Sequence, residues 1–318
     1  MVSNVSYTSG PIFQVAYAYR GNLFVAVNEE GIVGIYHVDT KEWKTRWMGH
    51  ENAVFDVIWT HDDKHIVTAA GDLEIRVWNV ESGNTNPFLT FQGHDMSVKC
   101  VRQARENEHI FASGGRDGKI LLWDIRTKGT PKLAIENVHA EQEMTRNVSS
   151  SFMSSTLKRR RLTSNYLTSS RSVTCVEFGR NEYEIFSAGA VDTVVKCWDI
   201  RRINRIKKKE MSRPVYEFSC SSQKGARRGI SSLKLLATQH GTSRLLVNVL
   251  NDSVAVLDLG VNARNCQPKT ILRCVGHRTT SFYSKATFST EGDFIAAASA
   301  DGLVYVWDAH LRTFIERT

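Results

Sequence analysis

An internal repeat is the feature of this sequence that most restricts the fold. Three stretches align without gaps, and each runs from an apolar segment to a tryptophan followed by a polar residue. A fourth carries one extra residue before its aspartate. In all four, an aspartate precedes the tryptophan by six positions. The stretches are Ile66–Val80, Phe111–Ile125, Ile295–Ala309 and Ile185–Ile200. Self-similarity at a fixed spacing indicates a repeat architecture.

Each repeat unit is predicted to form four short antiparallel strands. β-branched and aromatic runs alternate with turn residues, and the period is 45 residues from Trp78 to Trp123. Gly-His pairs precede three of the units, at positions 49, 93 and 276. Four-stranded units of this length with Gly-His and Trp-Asp marks are blades of a β-propeller. The predicted fold class is therefore all-β, a WD-repeat β-propeller.

Six blades can be counted from the sequence. Their third strands contain Tyr36, Trp78, Trp123, Trp198, Leu257 and Trp307. Eleven residues follow Trp307, enough for one further strand. We therefore expect an incomplete seven-bladed ring, with a gap between the sixth and first blades. Residues 1–10 are expected to form an N-terminal segment and residues 11–318 the propeller.

Histidines and aspartates of the repeat are predicted to be structural. A buried histidine at the start of a blade can bond a turn aspartate and a strand hydroxyl, which also meets the tryptophan indole. Such a network satisfies all the buried polar groups it contains. The two complete sets are His50, Thr68, Asp72 and Trp78, and His94, Ser113, Asp117 and Trp123. In the sixth blade Ala297 stands where the hydroxyl would be, so that network is expected to be incomplete.

About 30 extra residues interrupt the period near residues 141–171. The segment is rich in Ser and Thr, a composition that cannot bury a core, so a disordered loop is predicted. It carries the basic run Lys158, Arg159, Arg160 and Arg161. The run is open to three interpretations: a solvated loop, a nuclear-import signal, or a contact with DNA. The net charge of +8 fits loops with many basic residues.

The motifs of common catalytic and cofactor sites are missing from the sequence. There is no phosphate-binding Gly-rich loop, no G-x-S-x-G turn and no H-E-x-x-H. The glycines around Asp117 belong to a hairpin turn. We therefore expect no catalytic residues, no metal and no cofactor, and a function in protein–protein contacts.

Two adjacent repeats end in Trp-Asp-Ile-Arg, which supplies Asp124 with Arg126 and Asp199 with Arg201. A basic residue here can be a simple solvated side chain. The tandem arrangement nevertheless resembles the WDxR boxes by which propellers dock onto the damaged-DNA-binding adaptor of cullin-four ubiquitin ligases. Arginine suits such a role because its planar guanidinium bonds carboxylates in pairs. Both arginines are expected on the bottom face, where the third strand of each blade turns into the fourth.

A longer series of motifs resembles the denticleless family, the propeller substrate receptors of the cullin-four RING ligase. The more specific members are Ser187–Asp192 (Ser-Ala-Gly-Ala-Val-Asp) and the Phe282-Tyr283 pair after a Gly-His, and the likeness covers most of Phe13–Asp308. The family also has a seventh blade, a C-terminal tail and a longer N-terminal extension, which this sequence does not include. The resemblance implies a ubiquitin-ligase substrate receptor that is located in the nucleus, with the cytoplasm as a second compartment. Such a receptor captures cell-cycle and replication-licensing proteins.

Substrates of that family carry a degron presented by the DNA-bound sliding clamp, with a basic residue beside its clamp-binding segment. The receptor is therefore expected to offer carboxylates on its top face, opposite the two arginines. The candidates are Glu29, Glu30, Glu51 and Asp95. Solvated turn residues are the alternative for each. For the whole protein the alternative is a WD-repeat scaffold of another nuclear complex, in chromatin or RNA processing.

Overall fold

The repeat folds into six four-stranded antiparallel sheets, as predicted. The computed structural model describes residues 10–82, 85–127, 129–139, 171–203, 212–223, 227–237, 242–260, 268–311 and 313–317. Each sheet is a blade whose strands pair in sequence order, from an inner first strand to an outer fourth strand. Blade 1 contains β1 Ile12–Tyr17, β2 Leu23–Asn28, β3 Ile32–His37 and β4 Glu42–Met48; blade 2 contains β5 Val54–Trp59, β6 His65–Ala70, β7 Glu74–Asn79 and β8 Leu89–Gln92.

The remaining blades follow the same plan. Blade 3 contains β9 Val98–Gln103, β10 Ile110–Gly115, β11 Ile120–Asp124 and β12 Leu133–Ile135; blade 4 contains β13 Val173–Phe178, β14 Glu184–Gly189, β15 Val194–Asp199 and β16 Tyr216–Ser219. Blade 5 contains β17 Ile230–Ala237, β18 Ser243–Val249, β19 Val254–Asp258 and β20 Lys269–Cys274; blade 6 contains β21 Ala286–Phe288, β22 Phe294–Ala298, β23 Val304–Asp308 and β24 Thr313–Arg317. A short helix, α1 (Ile200–Ile203), follows β15.

The hydrophobic core consists of five clusters, each of which lies between two neighbouring blades from blade 1 to blade 6. The middle strands of blades 3 and 4 are buried on both faces, as in β10 and β14, because each blade packs against two others. Five cysteines of the described chain lie in these buried regions with free thiols. No described helix has the length and apolar character that crossing a bilayer requires.

The junction between blades 6 and 1 is packed differently. In β22 and β23 burial alternates along the strand, so one face of blade 6 is left accessible. Apolar side chains are exposed there and on β1, among them Phe294 at 45% and Tyr17 at 64%. Among the described residues no hydrophobic cluster joins the two blades. Contact is made near the axis, where Phe13 stacks on Tyr283 at 4.0 Å. The expected gap is thus present and bridged at the centre.

Candidate functional site

On the bottom face, Asp124 and Arg126 form a bidentate ion pair, which we call an Asp–Arg fork. Nε and Nη2 of Arg126 donate to the two carboxylate oxygens of Asp124 at 2.9 and 2.8 Å. The Asp124 side chain is almost fully buried, whereas the Arg126 side chain is 58% exposed. Hydrogen bonds from Arg126, together with Lys132, hold the pKa of Asp124 well below its usual range. The buried carboxylate therefore fixes an exposed cation.

Blade 4 repeats this arrangement. Nε and Nη2 of Arg201 donate to the carboxylate of Asp199 at 3.0 and 2.8 Å, and the Arg201 side chain is 51% exposed. The guanidinium also lies over the ring of Tyr183, 4.6 Å from its centroid, which is a cation–π contact. The two Asp–Arg forks therefore stand in adjacent blades on one face, and Nη1 of neither arginine bonds a described residue.

A cleft of about 430 Å³ borders the fork of blade 3. It lies between the bottom edges of blades 2 and 3, and its lining includes Arg126, Ile125, Leu89 and Phe88. Phe88 is 58% exposed, which is unusual for a large aromatic side chain. An exposed apolar surface beside a fixed cation is typical of a protein-binding site.

The top face is shaped by β-bulges. The inner strands of blades 1 to 5 each have a bulge at the same position. In β1, β5, β9, β13 and β17 the second residue is skipped by the pairing with the next strand. A bulge of this kind can re-aim a side chain out of the regular alternation. The skipped residues are Phe13, Phe55, Lys99, Thr174 and Ser231. In blade 6, Lys285 stands just before β21.

Four of these residues and Lys285 line one pocket of about 220 Å³, which we call the top pocket. Its wall is aromatic on one side, where the ring of Phe55 lies parallel to that of Phe13, 5.7 Å away. Phe282, Tyr283 and Arg116 also line the pocket. Lys99 lies over the ring of Phe55, with Nζ 3.2 Å from the centroid. The second residues of the inner strands of blades 2 to 5, together with Lys285 of blade 6, thus supply one central site.

Lys99 and Arg116 give the top pocket a positive charge. Burial, and then the nearby Arg116 guanidinium, lower the pKa of Lys99 to about 8. Neither cation forms an ion pair with a carboxylate among the described residues. The face of the Phe55 ring offers Lys99 partial compensation. The pocket therefore holds cationic groups that an anion would stabilise.

Below the pocket, a buried carboxylate ties four blades together. Asp56 accepts hydrogen bonds from Gln14, the Val101 amide, Arg102 and Lys285, at distances from 2.6 to 3.0 Å. Burial opposes the ionisation of Asp56, but Arg102 and Lys285 outweigh it and hold the pKa of that carboxyl below its usual range. Since Lys285 belongs to blade 6, this contact reaches across the open side of the ring.

The predicted histidine networks have the expected contacts. In blade 3, Nδ1 of His94 bonds Asp117 at 2.9 Å and Nε2 bonds the Ser113 hydroxyl at 2.7 Å, which also accepts from the Trp123 indole at 2.8 Å. In blade 2, Nδ1 of His50 bonds Asp72 at 2.9 Å and Nε2 bonds the Thr68 hydroxyl at 2.7 Å. The Trp78 indole donates to the same hydroxyl at 2.9 Å.

Blade 4 has a third network that sequence reasoning missed. His139 bonds Asp192 and the Ser187 hydroxyl, to which the Trp198 indole donates at 2.9 Å. The histidine follows Val138 instead of glycine, and the long insertion separates it from its aspartate. Its position just after the last strand of the preceding blade was the available signal. In blade 6, by contrast, Nδ1 of buried His277 has no partner, because the equivalent aspartate, Asp301, accepts from the Tyr305 hydroxyl instead. Nε2, which bonds a hydroxyl in blades 2 to 4, bonds Asn248 at 3.3 Å, since Ala297 supplies no hydroxyl.

The four carboxylates predicted for substrate lie on top-face turns and connections and do not line the top pocket. Glu29 stands nearest to it: burial, and then the charge of Glu29, raise the pKa of Tyr283. Asp95 pairs with Lys119 at 2.7 Å. Glu30 and Glu51 are exposed. Lys158, Arg159, Arg160, Arg161 and the rest of the insertion before Arg171 lie outside the described residues. Within the described part of the chain, no cluster of side chains could hold a metal ion.

The chain is similar to proteins of known family. The family model WD domain, G-beta repeat matches residues 41–79, 85–124 and 268–308. The Denticleless protein homolog of Danio rerio is 32% identical over 94% of this chain, and that of Homo sapiens is 30% identical over 90%. Protein lethal(2)denticleless of Drosophila melanogaster is 29% identical over 94%. The chain belongs to the denticleless family.

These denticleless relatives are longer than the chain, which spans 44%, 38% and 39% of their respective lengths. Among solved structures, the Cps50 (Swd1) β-propeller domain of Myceliophteria thermophila aligns with a TM-score of 0.71 over 98% of this chain and 88% of its own. At 14% identity that likeness concerns the fold alone.

Proposed function

We propose that this chain is the substrate-recognition subunit of a cullin-four RING ubiquitin ligase. Its bottom face binds the damaged-DNA-binding adaptor, and its top face binds degron-bearing cell-cycle and replication-licensing substrates on the DNA-bound sliding clamp. The chain itself is a binding protein without a catalytic step. The observation that carries the proposal is the pair of Asp–Arg forks in adjacent blades.

The forks favour binding because they are preorganised. Long side chains normally lose rotamer freedom on association, which reduces affinity. Here Asp124 and Asp199 already hold their arginines, so little further ordering is needed. The remaining guanidinium N–H groups can donate to carboxylates of the adaptor. The cleft beside Arg126, with exposed Phe88, adds apolar area next to one of the two contacts.

The proposed location is the nucleus. Substrates on chromatin require it, and Lys158, Arg159, Arg160 and Arg161 offer an import receptor a basic run. Nonspecific contact with DNA is a second use of the same run, since phosphate binding depends on such cations. Replacing all four with Ala should reduce nuclear and chromatin-bound protein. Unchanged nuclear and chromatin fractions would exclude both uses.

Co-purification with the adaptor tests the proposed function. The chain should capture the adaptor, and the Arg126→Ala/Arg201→Ala variant should lose affinity by tenfold or more, the size of a hot-spot effect at an interface (roughly 1.4 kcal/mol per tenfold change). Arg202→Ala is the matched control, because it removes an equal charge from α1 without breaking a fork. If wild type does not bind the adaptor, or the double variant binds as well as wild type, the receptor role is wrong and the scaffold alternative remains.

A further inference from the structure

The top pocket has the dimensions of a site for one side chain. Its volume of about 220 Å³ is below the roughly 300–1,000 Å³ of pockets that enclose a drug-sized ligand. It opens on the top face, and its lining comes from blades 2 to 6, so the walls are fixed by separate sheets. A ligand group that enters the pocket would be surrounded by preformed structure.

The chemistry of the lining selects an anion. Lys99 and Arg116 face the pocket without a carboxylate partner among the described residues, and Lys285 faces it from the other side while bonded to Asp56. The cost of keeping Lys99 charged in this place is visible in its pKa of about 8. An entering anion would reduce that cost, because an opposite charge nearby stabilises the protonated amine.

The surroundings of the pocket favour a peptide over a polynucleotide. Glu29 stands close enough to Tyr283 to raise its pKa, and Glu30, Glu51 and Asp95 lie on connections of the same face. A chain of phosphates that ran from the pocket toward blades 1 to 3 would meet these carboxylates. A peptide can place one anionic side chain among the cations and a neighbouring cation near the acids.

We propose that the top pocket binds the anionic side chain of a peptide, a carboxylate or a phosphate, whose apolar stem contacts Phe55 and Tyr283. The inference rests on the proposed function only in taking this peptide for part of a substrate. The specificity-determining residues are Lys99 and Arg116. Glu29 at the edge of the pocket favours a basic residue next to the anionic one.

Short fluorescent peptides with one fixed central residue test the proposal by anisotropy on the full chain. The probes are randomised pools with a central Glu, phosphoserine or Gln. The Glu pool, the phosphoserine pool or both should bind at least about tenfold more tightly than the Gln pool, and the better of the two identifies the anion. Arg116→Gln and Lys99→Gln should each remove most of that preference. Lys119→Gln, which takes an equal charge from the same blade outside the pocket, should keep it.

Three results would overturn the inference: equal affinity for the Gln pool, an unchanged preference in Arg116→Gln, or tighter binding of a single-stranded oligonucleotide that Arg116→Gln abolishes. Arg116 is on a turn between β10 and β11, so its variant remains informative even if Lys99→Gln folds poorly. Adaptor capture is measured on the same samples. Peptide binding without adaptor capture would contradict the proposed function alone, and adaptor capture without peptide binding would contradict the pocket alone.

Discussion

The two faces of the propeller are built in different ways. On the bottom face each Asp–Arg fork joins residues two positions apart, so a four-residue motif contains the whole arrangement. On the top face the pocket takes single residues such as Lys99 and Thr174 from several blades, and it exists only in the assembled ring. A local site can therefore be seen in the sequence, whereas a site assembled around an axis cannot. The comparison can be tested by changes that affect both faces, one face or neither.

A change in the hydrophobic core that supports both faces should weaken binding on both and have the largest effect. Trp123 is fully buried between blades 2 and 3 and bonds Ser113. Trp123→Ala should lower the free energy of unfolding by about 3–5 kcal/mol, the usual cost of such a cavity. Adaptor and peptide binding should fall together at temperatures where the variant unfolds. Loss of binding on one face alone, with a native melting curve, would mean that the two faces do not depend on the same core packing.

A change in the forks should affect the bottom face alone. Asp124→Asn combined with Asp199→Asn removes the charge that holds each arginine but keeps the side-chain shape. Adaptor affinity should fall by about tenfold, because the guanidinium groups lose their fixed orientation and part of their pairing. The affinity for the anionic peptide pool should stay at its wild-type value. A parallel loss of peptide affinity would contradict the separation of the two faces.

A change in pH should affect the top face alone. Lys99 has a pKa of about 8 in the free chain, and a bound anion raises it, so binding is strongest below pH 8 and weakens above it. From pH 7 to pH 9, affinity for the Glu pool should fall by up to about tenfold. The other ionisable groups of the pocket are Arg116, Lys285 and Tyr283, with Glu29 close to Tyr283.

Lys99→Arg provides the control for this pH dependence, since arginine stays protonated throughout the range. Adaptor binding should not change in the same interval, because the pKa of each fork carboxylate is lowered and the arginines remain charged. If Lys99→Arg shows the same decline as wild type, then Lys99 is not the group that titrates.

The smallest expected effect concerns the incomplete network of blade 6. Ala297→Ser would supply the hydroxyl that blades 2 to 4 have, placed for Nε2 of His277 and the Trp307 indole, whereas Nδ1 of His277 would stay without a partner. A gain of about 1 kcal/mol is expected from the new hydrogen bonds, seen as a rise in melting temperature of about 2 °C. Ala296→Ser, on the other face of the same strand, should give no gain. Equal melting temperatures for wild type and Ala297→Ser would show that the missing hydroxyl does not limit stability.

The sequence was sufficient to predict the blades but not to predict the top pocket. The spacing of Asp117 and Trp123 repeats along the chain, because every blade needs the same buried contacts, and this repetition made the six sheets predictable. The bulged residues follow no single chemistry: two are phenylalanines, one is a lysine and two carry hydroxyls. A bulge changes the direction of a side chain without a distinctive residue, so nothing in the pattern indicated it.

Electrostatic partners were also hard to predict from residue type. Sequence reasoning expected the carboxylates of the top face to form the binding site, since acids recognise a basic peptide residue. Three cations line the central pocket and Asp95 pairs with Lys119, whereas substrate binding by the acids stays a prediction. Likewise, the motif alone did not indicate that each arginine of the two boxes is bonded to its own aspartate, while about half of each side chain stays exposed to a partner. Pairing between neighbours in space is decided by the fold.

The most direct test of the account is whether both faces work at once. The affinity of the better anionic peptide pool would be measured with the chain alone and with the chain saturated by the adaptor, and the complex would be weighed by native mass spectrometry. The account predicts one adaptor and one peptide on each chain, with the same peptide affinity in both states. Displacement of the peptide by the adaptor, or failure of the adaptor to bind at all, would contradict a receptor that joins two partners through opposite faces.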